Sequence, residues 1–178
     1  MAESVEIVPW QESSPLLEKL RQCVANSHNF RAWMLLPEWI GFRWKPFNQV
    51  FLATLRNIQS GDLISLTPLV ENDFRLDFYV AGHRLLSMRF NGFLLNGNVP
   101  LFPESDEYYE SLIRSALTRP SIDCLYMLGV PNDSHFWRFL KNVQTKDPEW
   151  LVYTPKFNTH RYFYIDMTMS WVIWPILE

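Results

Sequence analysis

From residue 50 to residue 90 the chain alternates between β-rich runs and short turns, and this pattern limits the fold more than any other feature. "VFLATLRN" and "LISLTPLV" are joined by "IQSGD", whose Ser60-Gly61-Asp62 supplies turn chemistry, so residues 50–70 read as a hairpin. In "FRLDFYV", Phe74, Leu76, Phe78 and Val80 alternate with Arg75, Asp77 and Tyr79, the mark of a half-buried strand. Ala81-Gly82-His83 then turns the chain into "RLLSMRF", an antiparallel partner. Four strands joined so closely form a mainly antiparallel sheet, and its apolar face needs helices to cover it.

The flanking segments supply them. Ser14 is placed to cap a first helix and Pro15 fits its first position, with Leu16, Leu17, Leu20, Cys23 and Val24 on one face. A shorter helix starts at Pro37-Glu38 and stops before Pro46, carrying Trp39, Ile40 and Trp44. Tyr108, Leu112, Ala116 and Leu117 mark a third helix that ends by Pro120. "IDCLYMLGV" is a continuous apolar run, which predicts a strand covered on both faces. "PNDSHFWRFLKNV" predicts a fourth helix capped by Asn132 or Asp133, with Phe136, Trp137, Leu140 and Val143 on one stripe. "RYFYIDM", with "WLVYT" before it, supplies the closing strands. The predicted order is α-α-β-β-β-β-α-β-α-β, an α/β (α+β) chain with a mixed, mainly antiparallel central sheet flanked by helices.

The 178 residues suffice for one full core, and 48% hydrophobic with 20% charged residues excludes wholesale disorder. A net charge of −3 gives no electrostatic footprint for nucleic acid, and no basic run points to an anionic membrane. Cys23 and Cys124 stand far apart in apolar contexts and read as buried free thiols. "MAESVEIVPW" lacks the basic and apolar regions of a signal peptide, and no apolar run reaches the ~18 residues of a membrane span. A cytoplasmic location is the expectation.

Several segments resemble the GNAT acyltransferase superfamily, and within it the CelD/BioF-like acetyltransferases of bacterial polysaccharide biosynthesis, which carry two GNAT-like halves. "PEWIGFRWKPF" is similar to the segment before the first hairpin there. "VFLATLRNIQSGDLISLTPLV" is similar to that hairpin, with Pro68-Leu69 at its end. "IDCLYMLGVPNDSHFWRFL" resembles the buried strand, acidic turn and following helix, and "YFYIDMTMSW" resembles the handover to the second half. The resemblance covers roughly residues 30–172. It implies one GNAT-like domain over residues 1–166, with residues 167–178 a C-terminal tail or the start of a missing second half. It also implies transfer of an acyl group from acyl-CoA to an amine or hydroxyl acceptor. In this reading the chain is the acceptor-side, non-cofactor half; the alternative is a non-catalytic GNAT-fold binding or assembly module. Trp171, Val172, Ile173 and Trp174 would meet that second half or another copy of the chain, or pack back on this domain's own sheet.

In a half that binds acyl-CoA, the loop after the fourth strand carries Q/R-x-x-G-x-G/A, and its amides hold the pyrophosphate. Here "NGNVPLFPESDE" occupies residues 96–107. Gly97 is its only glycine, Pro100 and Pro103 remove N–H donors, and Glu104, Asp106 and Glu107 crowd the positive end of the next helix. No Arg or Lys lies between residues 90 and 113 to offset them. The junction reads as an internally capped helix start, so no cofactor is expected on this chain alone.

No other motif carries chemistry by itself. "NDSH" at 132–135 holds Asp, Ser and His on one turn, where they cannot converge as a triad, so helix capping explains it. His28, His83, His135 and His160 lack metal-ligand spacing, and the cysteines complete no zinc pattern. His83 and His160 are the available general bases, and Tyr108, Tyr109, Tyr162 and Tyr164 the available phenolic acids. The catalytic candidates are therefore His83, His160 and Tyr164. Trp33, Trp39, Trp44, Trp137 and Trp150 either line an acceptor cleft or fill the core.

Overall fold

The alternating pattern is realised as an antiparallel meander. The computed structural model describes residues 3–11, 14–28, 31–44, 48–81, 83–97, 99–127, 129–146 and 151–152. Among these, five strands stand in the order β1 (Glu3–Pro9), β2 (Val50–Asn57), β3 (Leu63–Val80), β4 (His83–Leu95) and β5 (Cys124–Met127). The pairings β1–β2, β2–β3 and β3–β4 are antiparallel, and β4–β5 is parallel. Helices α1 (Leu16–Ala25) and α2 (Pro37–Arg43), with a 3-10 turn at Ala32–Leu35, link β1 to β2. α3 (Asp106–Leu117) carries the crossover from β4 to β5, and α4 (His135–Lys146) follows. The chain is mixed α/β with a mostly antiparallel sheet.

Because strand side chains alternate between faces, each strand feeds two cores. On one face Phe51, Ala53, Leu55, Leu69, Phe93 and Leu95 meet Tyr109, Leu112, Ile113 and Ala116 of α3 and Phe136, Phe139, Leu140 and Val143 of α4. On the other, Leu52 and Leu66 meet Leu17, Leu20 and Val24 of α1, while Val50, Val70 and Leu94 enclose Ile40 of α2. Burying each such Leu, Val or Phe is worth about 1.5–3 kcal/mol, which fixes the strand register.

The structure departs from the sequence expectations in several places. β1 was not predicted; its Val5 and Ile7 pack on the α3–α4 core while Ser4 and Glu6 face outward. "LISLTPLV" and "FRLDFYV" are one strand of 18 residues, since Glu71, Asn72 and Asp73 continue the ladder opposite Phe93, Gly92 and Asn91. β4 likewise runs through Asn91-Gly92 to Leu95. β5 lies at the sheet edge among the described residues, with Tyr126 exposed, rather than covered on both faces. α4 is capped by Ser134, whose Oγ accepts the Trp137 N–H at 3.1 Å, not by Asn132 or Asp133. Finally, at α1 Pro15 takes the cap position rather than the first helical one, and Ser14 before it has its Oγ accepting the Leu16 N–H at 3.2 Å. "RYFYIDM" and the Trp171–Trp174 segment lie outside the described residues.

The long β3–β4 hairpin outgrows the sheet. β2 accompanies β3 only as far as Val70, and β5 meets β4 only from Gly92 onward. Residues 71–91 therefore form a two-stranded arm. On one face Phe78, Val80, Leu86 and Met88 are exposed. The tip turns through Ala81 at φ 49°, a left-handed conformation uncommon for a residue with a Cβ.

Candidate functional site

The segment after β4 is drawn inward, onto the body. Asn96 is buried and its Nδ2 donates to the Met34 carbonyl at 2.9 Å. Gly97 has φ 89°, and a Cβ there would meet Leu35 side-chain carbons at 2.8–3.0 Å. Ser65 Oγ donates to the Leu101 carbonyl, and Phe102 is buried in the α3–α4 core. These contacts engage the segment from the side of the body, so its path is set by packing against Leu35, Met34 and Ser65.

At the start of α3 the expected internal capping takes a different form. Ser105 occupies the cap position without a side-chain cap bond. The nearby carboxylates turn to α4 instead: Asp106 Oδ1 lies 2.8 Å from His135 Nε2, and Glu104 Oε2 lies 3.8 Å from Nδ1. Both ring nitrogens of His135 thus face carboxylates of the same chain. Tyr109 is buried edge-on to His135 with ring centroids 5.8 Å apart. Burial, reinforced by the charges of Glu104 and Asp106, pushes its phenol up to about 12. A phenol so raised cannot release its proton near neutral pH and is a packing group here.

That shift has a stability consequence in alkali. The folded state favours neutral Tyr109, so the contribution is complete below the unfolded phenol's pKa of about 10 and is lost as pH rises towards 12. Urea midpoints should hold level to pH 9 and then fall by the equivalent of roughly 1–3 kcal/mol by pH 12. Tyr109→Phe should show less of this alkaline loss than the parent; an equal loss in both would assign it to other groups.

The second region is aromatic and open. Trp33 and Phe42 are 49% and 77% exposed. Trp33 and Trp39 meet edge to face at 4.9 Å, and Phe42 lies 6.4 Å from Trp39. The Arg43 guanidinium sits 5.0 Å over the Trp44 ring. The indole N–H groups of Trp39 and Trp44 are buried without a hydrogen-bond partner among the described residues. An unmet buried donor costs about 1–3 kcal/mol, and both groups lie beneath the surface, out of reach of a ligand on it.

The structure brings together Trp33 and Trp39 of the expected tryptophans. Trp44 packs beside Ile40, Val50, Val70 and Leu94, Trp137 joins the α3–α4 core, and Trp150 lies outside the described residues. His83 stands exposed at the arm tip, opposite Val80. His160 and Tyr164 lie outside the described residues. Tyr108 donates to Glu3 Oε1 at 3.2 Å, a tie between α3 and β1. Cys124 is half-buried, and burial, aided by Asp123, raises its thiol pKa and lowers its thiolate population. No cluster of three or more His, Cys, Asp or Glu suited to a metal occurs among the described residues. No helix among them is long and apolar enough to cross a membrane. The Asp106–His135 contact had no local sequence signal, because the two residues lie 29 apart and meet only when α3 and α4 pack.

No protein-family model, curated protein or solved structure matches this chain.

Proposed function

We propose that the chain is a GNAT-like domain serving as the acceptor-side, non-cofactor half of an acyltransferase of the CelD/BioF-like kind. The element order supports the fold reading: a helix pair between β1 and β2, an antiparallel run to β4, a helical crossover, then parallel β5. The observation that carries the functional reading is the open aromatic surface of Trp33, Trp39 and Phe42, whose rings suit the flat apolar face of a sugar. The start of α3 favours no pyrophosphate, since Glu104 and Asp106 hold negative charge there and the preceding loop is pinned to the body. Acyl-CoA then belongs to a second half, which Trp171, Val172, Ile173 and Trp174 would contact. The chemistry goes with the cofactor to that second half, and the groups this chain could offer it are His83, His160 and Tyr164. Neither His83 nor His160 has a partner in the sequence that would tune it as a general base.

Calorimetric titration of the chain tests the division of labour. Acetyl-CoA should give no measurable binding, whereas amine- or hydroxyl-bearing sugars should bind weakly. Trp33→Ala should weaken sugar binding about tenfold, the equivalent of ~1.4 kcal/mol, with little change in thermal midpoint. A micromolar dissociation constant for acetyl-CoA would overturn the reading. Absence of sugar binding would favour the second reading, a GNAT-fold assembly module, which the exposed arm supports.

A further inference from the structure

The arm formed by residues 71–91 poses a physical problem. A two-stranded ribbon is marginally stable by itself, and this one exposes apolar side chains on one face. Both of its outer edges lack a neighbouring strand among the described residues. The two edges differ in charge. On β4, residues 83–91 carry Arg84 and Arg89 but no carboxylate, so self-pairing along that edge sets like charges together. On β3, Asp73, Arg75 and Asp77 alternate in sign.

The backbone of β3 presents these residues outward. The Glu71 N–H donates to the Gln49 carbonyl at 2.8 Å, and Asn48 Nδ2 donates to the Glu71 carbonyl at 3.0 Å. The peptide groups of Glu71 therefore face the outer edge, and with a period of two so do those of Asp73, Arg75 and Asp77. The irregularity opposite Phe78 and Tyr79 leaves Leu85 as the extra residue on β4, so β3 keeps its period towards the tip. Asn48 closes the edge at Glu71 and Asn72, and among the described residues the unpaired stretch begins at Asp73.

We propose that this edge of β3 is a self-association surface, where a second copy of the chain adds its own β3 in antiparallel fashion about a two-fold axis at Leu76. In that register Arg75 lies opposite Asp77 of the second copy, and Asp77 opposite its Arg75. Phe74 lies opposite Phe78 of the second copy, and Asp73 opposite its Tyr79. The pairing spans that whole unpaired stretch, and outward-facing residues meet outward-facing residues, as an antiparallel ladder requires. Val80 at the tip comes beside Asn72 of the second copy, on the face where Phe74 packs against Ile40, Val50 and Val70. Phe74 of the second copy is its diagonal neighbour on that face. The arm holds three acidic residues (Glu71, Asp73, Asp77) and three arginines (Arg75, Arg84, Arg89), a balance that suits a self-complementary surface better than a polyanion.

Light scattering and sedimentation on the full chain, with circular dichroism to verify folding, test the pairing. The parent chain should be a dimer. Arg75→Asp alone sets two carboxylates opposite each other, and Asp77→Arg alone sets two guanidinium groups opposite each other. Each variant should weaken the dimer at least tenfold. An equimolar mixture of the two should regain the dimer, because every cross-copy pair is again of opposite sign. The pair within each chain, Arg75 Nε to Asp77 Oδ1 at 2.9 Å, stays broken in both variants, so recovery reads the contact between copies. A monomeric parent overturns the proposal. So does a dimer unchanged in both single variants, which would place association on another surface such as Trp171–Trp174, and so does a mixture that stays monomeric.

Discussion

Gly92→Ala should cost about 3 kcal/mol or more, because the position leaves no volume for a methyl group. A Cβ there would lie 2.5 Å from the Cys124 carbonyl oxygen, 2.6 Å from its Sγ and 3.1 Å from Phe74 Cδ2. Gly92 pairs with Cys124 at the first rung of the parallel β4–β5 ladder. The nearest obstacle is backbone, so rotating a side chain gives no relief. Adding Cys124→Ala should therefore recover little of the loss. Urea titration should show a lower midpoint with an unchanged slope if only the folded state is strained. Recovery of full stability in the double variant would mean that the thiol, not the carbonyl, sets the limit.

Phe136→Ala should cost about 3–5 kcal/mol. The ring is 1% exposed and sits between the Tyr109 ring, 4.8 Å away at a steep angle, and Phe139, stacked at 6.3 Å. It joins α4 to α3 and to the sheet residues beneath, so its removal opens a void that neither helix can close without losing other contacts. Phe136→Leu should retain more than half of the lost stability. A cost below 1 kcal/mol for the alanine variant would show that α4 contributes little to the folded state.

The helices were legible because their signals are local. Leu17, Leu20 and Val24 recur at helical spacing after Ser14-Pro15, and Pro37 opens α2 where the sequence places it. The hairpin of residues 50–70 followed from Ser60-Gly61-Asp62 for the same reason. Strand length was not legible. Glu71-Asn72-Asp73 reads as a polar interruption, yet cross-strand partners and the Asn48 side chain hold it extended. β1 did carry a usable signal, since Val5 and Ile7 alternate with polar neighbours; the run is short, and Val8 alone serves the opposite core. The Asp106–His135 contact and the shared surface of Trp33 and Trp39 with Phe42 depend on how helices dock or turn, and no sequence spacing encodes that. The path of residues 96–102 was not legible either, since the inward contacts of Asn96, Gly97 and Leu101 form only when the segment packs on Met34, Leu35 and Ser65.

The order of pairing in the sheet has a consequence for how the chain acquires its shape. Strands β2, β3 and β4 follow one another directly, β1 joins them across the α1–α2 span, and all four have been made once residue 95 is reached. The parallel rung is different: Gly92 must wait for Cys124, with α3 closing the intervening loop. In a chain made from its N-terminus, the residues of that rung and of its covering helices arrive last. During synthesis, then, a finished antiparallel half would stand with its α3-facing surface uncovered until α3, β5 and α4 arrive. Phe51, Leu69 and Phe93 would be wet for that interval, and the pace of elongation through residues 96–146 would set how long a sticky half-sheet is shown to its surroundings.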